Sequence, residues 1–319
     1  MKSLALMLMF VTTALPAFAA DGYPSRPIRL IVPYAAGGNA DIMGRLIGQR
    51  LADALAQSVI IDNRPGASSI IGSEIVARAA PDGHTLLFVA NGHASNPALF
   101  KKMPYDTLRD FSPISLTGST PMALVVTNSL PADTLKSFVA MAKSRPGQIN
   151  YATASNGGPG HLAGVLLGMM ANFNFTHVPY KATAQATTDV IAGHIQAALP
   201  SLTSVLPHVR AGRLRALGIT SAKRSKLAPE IPTLTESGVP GYEALIWNGL
   251  IAPAATPKNI IARLNQETLR IVQLPETRER YAALGADALT STPKEFDTFI
   301  RTELAKWETV IKAPGYRVE

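Results

Sequence analysis

The sequence has no cysteine and is poor in aromatic and charged side chains. Of its 319 residues, 6% are aromatic and 16% are charged. The absence of cysteine excludes disulfide bridges and a cysteine nucleophile. A small secreted domain usually depends on disulfides, but a chain of this length buries enough apolar surface to fold without them, and its length predicts two domains.

Long hydrophobic runs are confined to the start of the chain. Met1 to Ala20 reads MKSLALMLMFVTTALPAFAA, with Lys2 ahead of an apolar stretch and Ala17-Phe18-Ala19 as a small-x-small cleavage site. The apolar stretch is too short to span a bilayer, and Pro16 interrupts it. Residues 1–19 are therefore predicted to be a secretory signal peptide cut after Ala19. Export without cysteine fits a bacterial periplasmic protein.

The net charge is positive, but the basic residues are dispersed. Removing the predicted signal peptide takes Lys2 from the 30 Lys and Arg residues, so 29 remain against 22 Asp and Glu, a net charge of +7. The densest basic stretch is Lys223-Arg224-Ser225-Lys226, and aromatic residues do not interleave with it. This pattern does not favour nucleic-acid binding. It fits a solvated surface or the attraction of small anions.

Strand-like and helix-like patterns alternate in two series. The first begins with the apolar strand Ile28 to Val32, and the second begins with the helix Leu135 to Ser144. A break is expected at Gly118 to Pro121, between extended stretches. Repeated strand–helix–strand units predict parallel sheets flanked by helices. We expect two lobes with a ligand cleft between them, at the carboxyl ends of the strands. The predicted bounds are 20–122 and 226–319 for the first lobe and 123–225 for the second.

The tripeptide Val-Pro-Tyr occurs twice, each time after a predicted strand and before a predicted helix. Val32 to Asp41 reads VPYAAGGNAD, and Val178 to Asp189 reads VPYKATAQATTD. In the first stretch, Gly37-Gly38 allows close approach to a ligand, and Asn39 is expected to cap the helix, with Asp41 in its first turn. Free N–H groups at a helix start suit an anion. An ordinary strand–helix connection explains the local sequence at least as well.

A third connection from strand to helix, Ser155 to His161, reads SNGGPGH. Gly158, Gly160 and Ala163 match the G-x-G-x-x-G/A pattern of dinucleotide-binding proteins. The next strand ends in VPYK, however, and not in the acidic residue that would hold a ribose. The dinucleotide interpretation is therefore rejected, and no cofactor is predicted.

Polar side chains also follow other predicted strands, at Asn91-Gly92-His93 and at Ser201 to Ser204. They are candidate ligand contacts, or plain turn residues. His93 and His161 lie in these cleft loops, where they could donate to a carboxylate. The other histidines are predicted to be surface residues at strand edges or helix ends: His84, His177, His194 and His208.

Catalytic patterns are poor. No G-x-S-x-G occurs, and the histidines show no zinc-binding spacing. A hydrolase would have to use Ser155 with His161, or Ser95 with His93, and neither pair has an acidic residue beside it. The sequence therefore predicts neither an enzyme nor a metal site.

Several stretches, taken together and in order, resemble the tripartite tricarboxylate transporter substrate-binding proteins, also called the Bug family of periplasmic receptors. The similarity extends over essentially the whole mature chain. The matching stretches are YPSRPIRLIVPYAAGGNADIMGR, NRPGASSIIGSEIVARAAPDGHTLLF, NPALFKKMPYDTLRDFSPIS, INYATASNGGPGHLAG, VPYKATAQA, LRALGITSAKRS, PTLTESGVPGYEA and WNGLIAPAATPK.

This resemblance implies a type II-like periplasmic-binding-protein fold that captures a small carboxylate without chemistry. It also implies delivery to a transporter with one large and one small membrane subunit, with no nucleic-acid partner and a monomeric receptor. A ligand-sensing subunit of a membrane signalling system would use the same binding chemistry. The implied ligand-binding residues are Tyr34, Ala36, Gly37, Gly38, Asn39, Asp41, Asn91, His93, Ser155, Asn156, Gly157, Gly160, His161, Tyr180, Lys181, Thr183, Ser201, Thr203 and Trp247.

The sequence departs from the family pattern at three cleft positions. Ala182 replaces a common glycine, Pro200-Ser201 replaces an acidic or amide pair, and Gly92 stands where a hydroxyl residue is common. Without an acid at Pro200, contact with a ligand amino group is disfavoured. The departures therefore favour a carboxylate that lacks an ammonium group, such as an aromatic or dicarboxylic acid.

Overall fold

The computed structural model describes residues 22–313. The predicted signal peptide lies outside the described residues. The strands are β1 (Ile28–Val32), β2 (Val59–Asn63), β3 (Thr85–Ala90), β4 (Phe111–Pro121), β5 (Ala123–Thr127), β6 (Asn150–Thr153), β7 (Thr176–Pro179), β8 (Ala197–Ala198), β9 (Leu214–Ile219), β10 (Leu245–Pro253) and β11 (Asp287–Ala288). The helices are α1 (Asn39–Leu55), α2 (Ile70–Ala77), α3 (Gly92–Leu99), α4 (Leu135–Ser144), α5 (Pro159–Ala171), α6 (Thr183–Ile191), α7 (Leu202–Arg210), α8 (Lys258–Gln273), α9 (Pro275–Ala283) and α10 (Pro293–Ile311).

The strands form two mixed sheets. The first has the order β11-β4-β10-β3-β1-β2, and the second has the order β7-β6-β8-β5-β9. In the first sheet β1, β2, β3 and β4 run in one direction and β10 and β11 in the other; in the second sheet only β5 opposes its neighbours. The predicted α/β architecture is confirmed. We call the first sheet with its helices the first lobe and the second sheet with its helices the second lobe.

Apolar patterning explains the best-defined elements. Apart from Arg29 and Thr85, β1 and β3 consist of apolar residues, as expected for parallel strands that are covered on both faces. In α8, the buried residues Ile261, Leu264 and Thr268 follow helical spacing along one face. In α10, Thr292 and Glu295 form a reciprocal capping box at the first turn. These elements agree closely with the bounds that the sequence indicates.

Two chain crossings join the lobes at one place. Met122 separates β4 of the first sheet from β5 of the second, and residues 220–244 lead from β9 back to β10. The Met122 N–H donates to Thr220 Oγ1 (2.8 Å), and the Thr220 N–H donates to the Met122 carbonyl (2.9 Å). The Ala244 N–H donates to the Thr220 carbonyl (3.0 Å). The crossings are therefore tied together, whereas the exact lobe bounds stay a prediction.

Helix α10 packs against both lobes. It contacts α3 and β4 of the first lobe and α5 of the second. Trp247 and Trp307 both donate their indole N–H groups to Glu303 Oε2, at 3.2 and 3.0 Å. These buried rings belong to one apolar cluster that also includes Leu162 of α5. The side of the molecule near α10 is therefore one continuous core.

Sequence reasoning failed at elements with weak local signals. The predicted break at Gly118 to Pro121 is wrong, because these residues end the long strand β4. A Cβ atom at Gly118 would lie 3.0 Å from Tyr281 Cδ1, so this position packs closely and does not turn. Helix α3 was not expected, since Gly92 begins it and Pro97 lies inside it. The elements α9 and β11 were also missed.

Candidate functional site

A pocket lies at the carboxyl ends of β6 and β8, beside the crossing between the lobes. Its volume is about 110 Å³. We call it the interlobe pocket, because Ile246 of the first sheet and Met122 of the crossing complete its wall. Its lining residues are Met122, Ala152, Thr153, Ala154, Ser155, Pro159, Gly160, His161, Thr183, Ala186, Thr187, Ala198, Leu199, Pro200, Ser201 and Ile246.

Three helices begin at this pocket. Pro159 and Gly160 open α5, Thr183 opens α6, and Ser201 is the residue before α7. The first N–H groups of a helix have no partner within the helix and carry partial positive charge. Three such ends around one small volume create a positive potential without a charged side chain. This arrangement suits an anionic group.

The polar side chains that line the pocket, beside its apolar ones, are not ionised. The described lining contains hydroxyl groups and one imidazole but no Asp, Glu, Lys or Arg. Thr153 Oγ1 lies 2.6 Å from His177 Nε2 and 3.0 Å from the Ser155 carbonyl. A Cβ atom at Gly160 would lie 2.9 Å from the Leu199 carbonyl oxygen, so the wall is tight there. Recognition here depends on hydroxyls and backbone groups.

His161 is a buried, neutral member of the pocket wall. Its Nδ1 accepts the Gly157 N–H (3.0 Å), and its ring stacks on His177 with centroids 3.6 Å apart. Burial, together with the nearby His177, lowers the pKa of His161 to about 3. Because Nδ1 accepts a hydrogen bond, the ring proton lies on Nε2. His161 can donate a hydrogen bond but cannot act as a cation near neutral pH.

The glycines of the Ser155 to His161 loop are fixed by close contacts. Gly157 has φ +67°, and a Cβ atom there would lie 3.0 Å from Leu99 Cδ1 of the first lobe. At Gly158 a side chain would collide with Ser155 Oγ. Asn156 is exposed. The second lobe therefore reaches the first through this loop.

The first Val-Pro-Tyr loop is held by a buried carboxylate. Asp41 accepts hydrogen bonds from the Gly37 N–H (2.8 Å), Asn63 Nδ2 (2.9 Å) and Arg45 Nε (3.0 Å). Burial acts to raise the pKa of Asp41, but these hydrogen bonds outweigh it and lower the pKa. The predicted cap is wrong: Gly38 precedes α1 with no side-chain cap, and Asn39 is the exposed first residue.

The rest of this loop lies outside the interlobe pocket. Ala36, Gly37 and Gly38 are exposed. Burial raises the pKa of Tyr34 to about 12, although a hydrogen bond with Ser69 lowers it. The Gly37 N–H already donates to Asp41. The N–H groups of this loop that could still bind a ligand are therefore those at the start of α1.

Asn91 is hydrogen-bonded within the first lobe, and His93 is buried there. Asn91 Nδ2 donates to the Leu245 carbonyl (2.7 Å), and its Oδ1 accepts the Trp247 N–H (3.1 Å). His93 packs edge-on against Phe111, and among the described residues its ring nitrogens have no hydrogen-bond partner. Burial lowers the pKa of His93 to about 4.

The remaining candidates lie near the second lobe or in the core. The Tyr180 hydroxyl donates to Asp189 Oδ2 (2.6 Å), and Lys181 is exposed. Thr203 contacts the first lobe at Gly285. Trp247 is fully buried in the core against α10. Five predicted residues meet at the interlobe pocket, and ligand contact by any predicted residue stays a prediction. The five are Ser155, Gly160, His161, Thr183 and Ser201.

The predicted surface position of His84 is wrong. Its side chain is buried, Nε2 accepts the Ser25 N–H (3.2 Å), and the ring packs edge-on against Tyr23. This histidine therefore belongs to the base of the first lobe.

Sequence reasoning missed the strained stretch after β2. Gly66, Ala67, Ser68 and Ser69 all have positive φ, which is unfavourable for residues other than glycine. The Ser68 carbonyl accepts from Asn96 Nδ2 (2.7 Å). A Cβ atom at Gly92 would lie 3.0 Å from Ser69 Oγ, so this stretch borders the same edge as the first Val-Pro-Tyr loop. The signal in the sequence was Pro65-Gly66 followed by small residues.

A larger groove of about 800 Å³ lies between α4, α5 and the β6–β7 edge. Its floor includes Tyr151, Phe173 and Phe175, and Ala313 lies at its rim. His161 lines both cavities. The interlobe pocket remains the better candidate despite its smaller volume, because three helices begin there and the lobes meet beside it.

Comparison with known proteins gives the family. The sequence profile described as "Tripartite tricarboxylate transporter family receptor" matches residues 43–316. Protein BugT of Bordetella pertussis is 35% identical over 100% of this chain and 99% of its own length.

Solved structures agree. Rpa4515 of R. palustris with adipate has a TM-score of 0.78 and 34% identity, over 91% of this chain and 97% of that one. MatC of Rhodopseudomonas palustris with bound malate has a TM-score of 0.75 and 31% identity, over 91% and 100%. Both the predicted fold and the predicted family are confirmed, and the chain belongs to the tripartite tricarboxylate transporter family of receptors.

Proposed function

We propose that this protein is a periplasmic receptor that captures a small organic carboxylate in the interlobe pocket. The observation that carries the proposal is the meeting of three helix starts at a pocket without ionised side chains. Backbone N–H groups, hydroxyls and the neutral His161 would donate to carboxylate oxygens. Each charge-assisted bond contributes about 1.5–3 kcal/mol. Micromolar affinity requires about 8 kcal/mol, so a few such bonds are sufficient.

Relatives of known structure support the ligand class. Rpa4515 was solved with adipate and MatC with malate, and both are dicarboxylates. Because Pro200 removes the acidic group that would bind an ammonium, we infer a di- or tricarboxylate or an aromatic acid without an amino group. The N–H groups at the start of α1 would bind the ligand from the opposite wall when the lobes close.

The cellular role follows from family membership and the start of the sequence. We infer that residues 1–19 direct export and that the mature receptor works in the periplasm. Among residues 22–313, no helix is both long and apolar enough to cross a bilayer. The proposed partner is a membrane transporter with one large and one small subunit, which the monomeric receptor approaches in its closed, loaded form.

Hydrolysis is the less suitable function for the same pocket. His161 would serve as the base for Ser155, but its Nδ1 is occupied by Gly157 and its pKa is about 3. A base with so low a pKa accepts a proton poorly near neutral pH. The other pair, Ser95 and His93, belongs to α3, and both side chains are buried. Binding without turnover is therefore favoured.

A thermal-shift screen of organic acids tests the proposal. Adipate, malate and aromatic acids should include a compound that raises the melting temperature and is recovered unchanged. If that compound is consumed, the protein is an enzyme. If only amines or neutral solutes stabilise it, the carboxylate assignment is wrong.

A further inference from the structure

One contact between the lobes is closer than any side chain at position 285 would permit. Gly285 lies between α9 and β11 of the first lobe, and Thr203 lies in the first turn of α7 in the second. A Cβ atom at position 285 would lie 2.7 Å from Thr203 Cβ and 2.9 Å from Thr203 Oγ1. Both distances are well inside van der Waals contact, so only glycine allows this approach.

The first-lobe side of the contact is rigid. Gly285 has φ +68°, its N–H donates to the Ala282 carbonyl (2.9 Å), and the Ala286 N–H donates to the Tyr281 carbonyl (2.9 Å). Tyr281 is fully buried, and Asp287 pairs with Ser119 of β4. A larger residue at position 285 would therefore displace the opposite lobe and not its own backbone.

The second-lobe side leads directly to the pocket. Leu202 and Val205 anchor α7 in the core of the second lobe, so Thr203 moves with that lobe. Ser201, which precedes α7, lines the interlobe pocket. Any change in the separation of Gly285 and Thr203 is therefore transmitted to the pocket wall.

A second close contact between the lobes involves another segment that lines the pocket. Gly157 and Leu99 meet where the Ser155 to His161 loop touches α3. Both contacts therefore join a second-lobe segment that lines the pocket to the first lobe. The closest approach at these points fixes the length of the closed cavity.

We propose that Gly285 sets the closest approach of the two lobes and thereby the length of the diacid that the closed pocket accepts. This inference rests on the proposed function for its ligand class. Specificity is a difference of affinities, and a lobe held farther away leaves a short ligand unable to contact both walls. A bulkier residue at position 285 therefore disfavours short diacids more than long ones.

The test uses Gly285→Ala, with Gly212→Ala as its matched control. Gly212 has φ +67° but no atom within 4 Å of its Cβ position, so the control carries the same backbone strain without the contact. Since the chain has no cysteine, Gln49→Cys on α1 and Lys136→Cys on α4 provide one spin label on each exposed lobe surface. Double electron–electron resonance then measures the distance between the two spin labels, and so between the lobes, with and without ligand.

Calorimetry with malonate, succinate, glutarate, adipate and pimelate reports the length preference. We expect Gly285→Ala to lengthen the interlobe distance and to weaken the shortest diacid bound by wild type about tenfold more than the longest. Gly212→Ala should match wild type in both measurements. Thr203→Ala shortens the side chain on the second-lobe side of the contact. It should therefore shift the preference toward shorter diacids.

Each other outcome overturns the inference. An unchanged interlobe distance in Gly285→Ala, or equal effects of Gly285→Ala and Gly212→Ala, removes the spacing role. A longer distance with an unchanged length preference removes the role in specificity. If Gly285→Ala does not fold, the test depends on Thr203→Ala alone. An unaltered preference for diacid length in Thr203→Ala then refutes the inference. If wild type binds no diacid, the diacid selectivity inferred here is refuted, and the proposed function is then judged separately by the screen of other organic acids.

Discussion

The two Val-Pro-Tyr loops begin with the same residues but are stabilised in different ways. Tyr34 of the first loop lies against Ser69, and the loop backbone is bonded to the buried Asp41. Tyr180 of the second loop donates outward to Asp189 of the following helix, and no glycine is present. The first loop stays outside the interlobe pocket, whereas the second leads into it at Thr183.

This difference shows that a shared tripeptide specifies only the end of a strand. In both loops proline ends the ladder and a helix follows. The long first loop needs a carboxylate to fix its glycines, whereas the short second loop passes directly into α6. The chemistry of each loop is therefore decided by the residues that its helix places beside it.

The two loops should differ most in the stability that is lost when the carboxylate holding each of them is removed. Asp41→Ala removes all three hydrogen bonds that the buried carboxylate accepts, from Gly37, Asn63 and Arg45, and should lower the free energy of unfolding by about 3 kcal/mol. Asp189→Ala loses one partly exposed bond and should cost about 1 kcal/mol. Urea denaturation measures both. Equal losses would mean that the two loops are held alike.

Blocking each helix start tests which loop binds the ligand. Gly38→Val places a branched side chain before α1 and should weaken the acid found in the screen about 10- to 100-fold. Thr183→Val removes one pocket hydroxyl and should weaken it about tenfold. Calorimetry gives both affinities, and melting temperatures serve as the folding control. Unaltered affinity in Gly38→Val would make the first loop structural only.

Acidification should destabilise both lobes through their buried histidines. The pKa values of His93 and His161 are lowered to about 4 and about 3, whereas an unfolded histidine titrates near 6.5. The unfolded state therefore binds more protons below about pH 6.5, and stability falls with pH down to the folded pKa values. The loss is at most about 1.4 kcal/mol per pH unit for each histidine.

Urea unfolding at about pH 7 and about pH 5 measures this slope. His93→Leu should flatten the pH dependence, because its ring nitrogens no longer take up a proton on unfolding. A slope that does not change in His93→Leu would assign the effect to His161 and the second lobe alone.

The smallest expected effect concerns the lysine that distinguishes the second loop. Lys181 is exposed and, among the described residues, forms no ion pair. Lys181→Ala should change the affinity less than about threefold and act mainly on the association rate at low salt. Stopped-flow binding at two salt concentrations measures this. A loss of tenfold or more would place Lys181 on the ligand.

Sequence patterning predicted most of the regular structure. The bounds of β1 and α4 agree with the expected segments, because apolar runs and amphipathic spacing are local signals. Helix α3 escaped prediction because its stability comes from burial of Ala94 to Asn96 against other elements. Propensity alone opposes a helix with an internal proline.

The residues of the candidate site were predicted less accurately than the strands and helices. The loop Ser155 to His161, Thr183 and Ser201 were found because small and polar residues follow strands there. Asn91 also follows this rule, yet the structure uses its polar atoms inside the first lobe. Ser68 and Ser69 were overlooked, since Pro65-Gly66 and the small residues after it indicate a turn but do not specify a left-handed backbone at serine.

The sequence by itself determined the alternating elements, the strand ends and the family, because each depends on residues near one another in the chain. Tertiary structure alone decided which helix starts meet at the interlobe pocket, that Asp41 holds the first loop, and that Gly285 faces Thr203. These relations depend on contacts between separate elements, such as Asn63 with Asp41 and Gly285 with Thr203, and only the packing within and between the lobes fixes their distances.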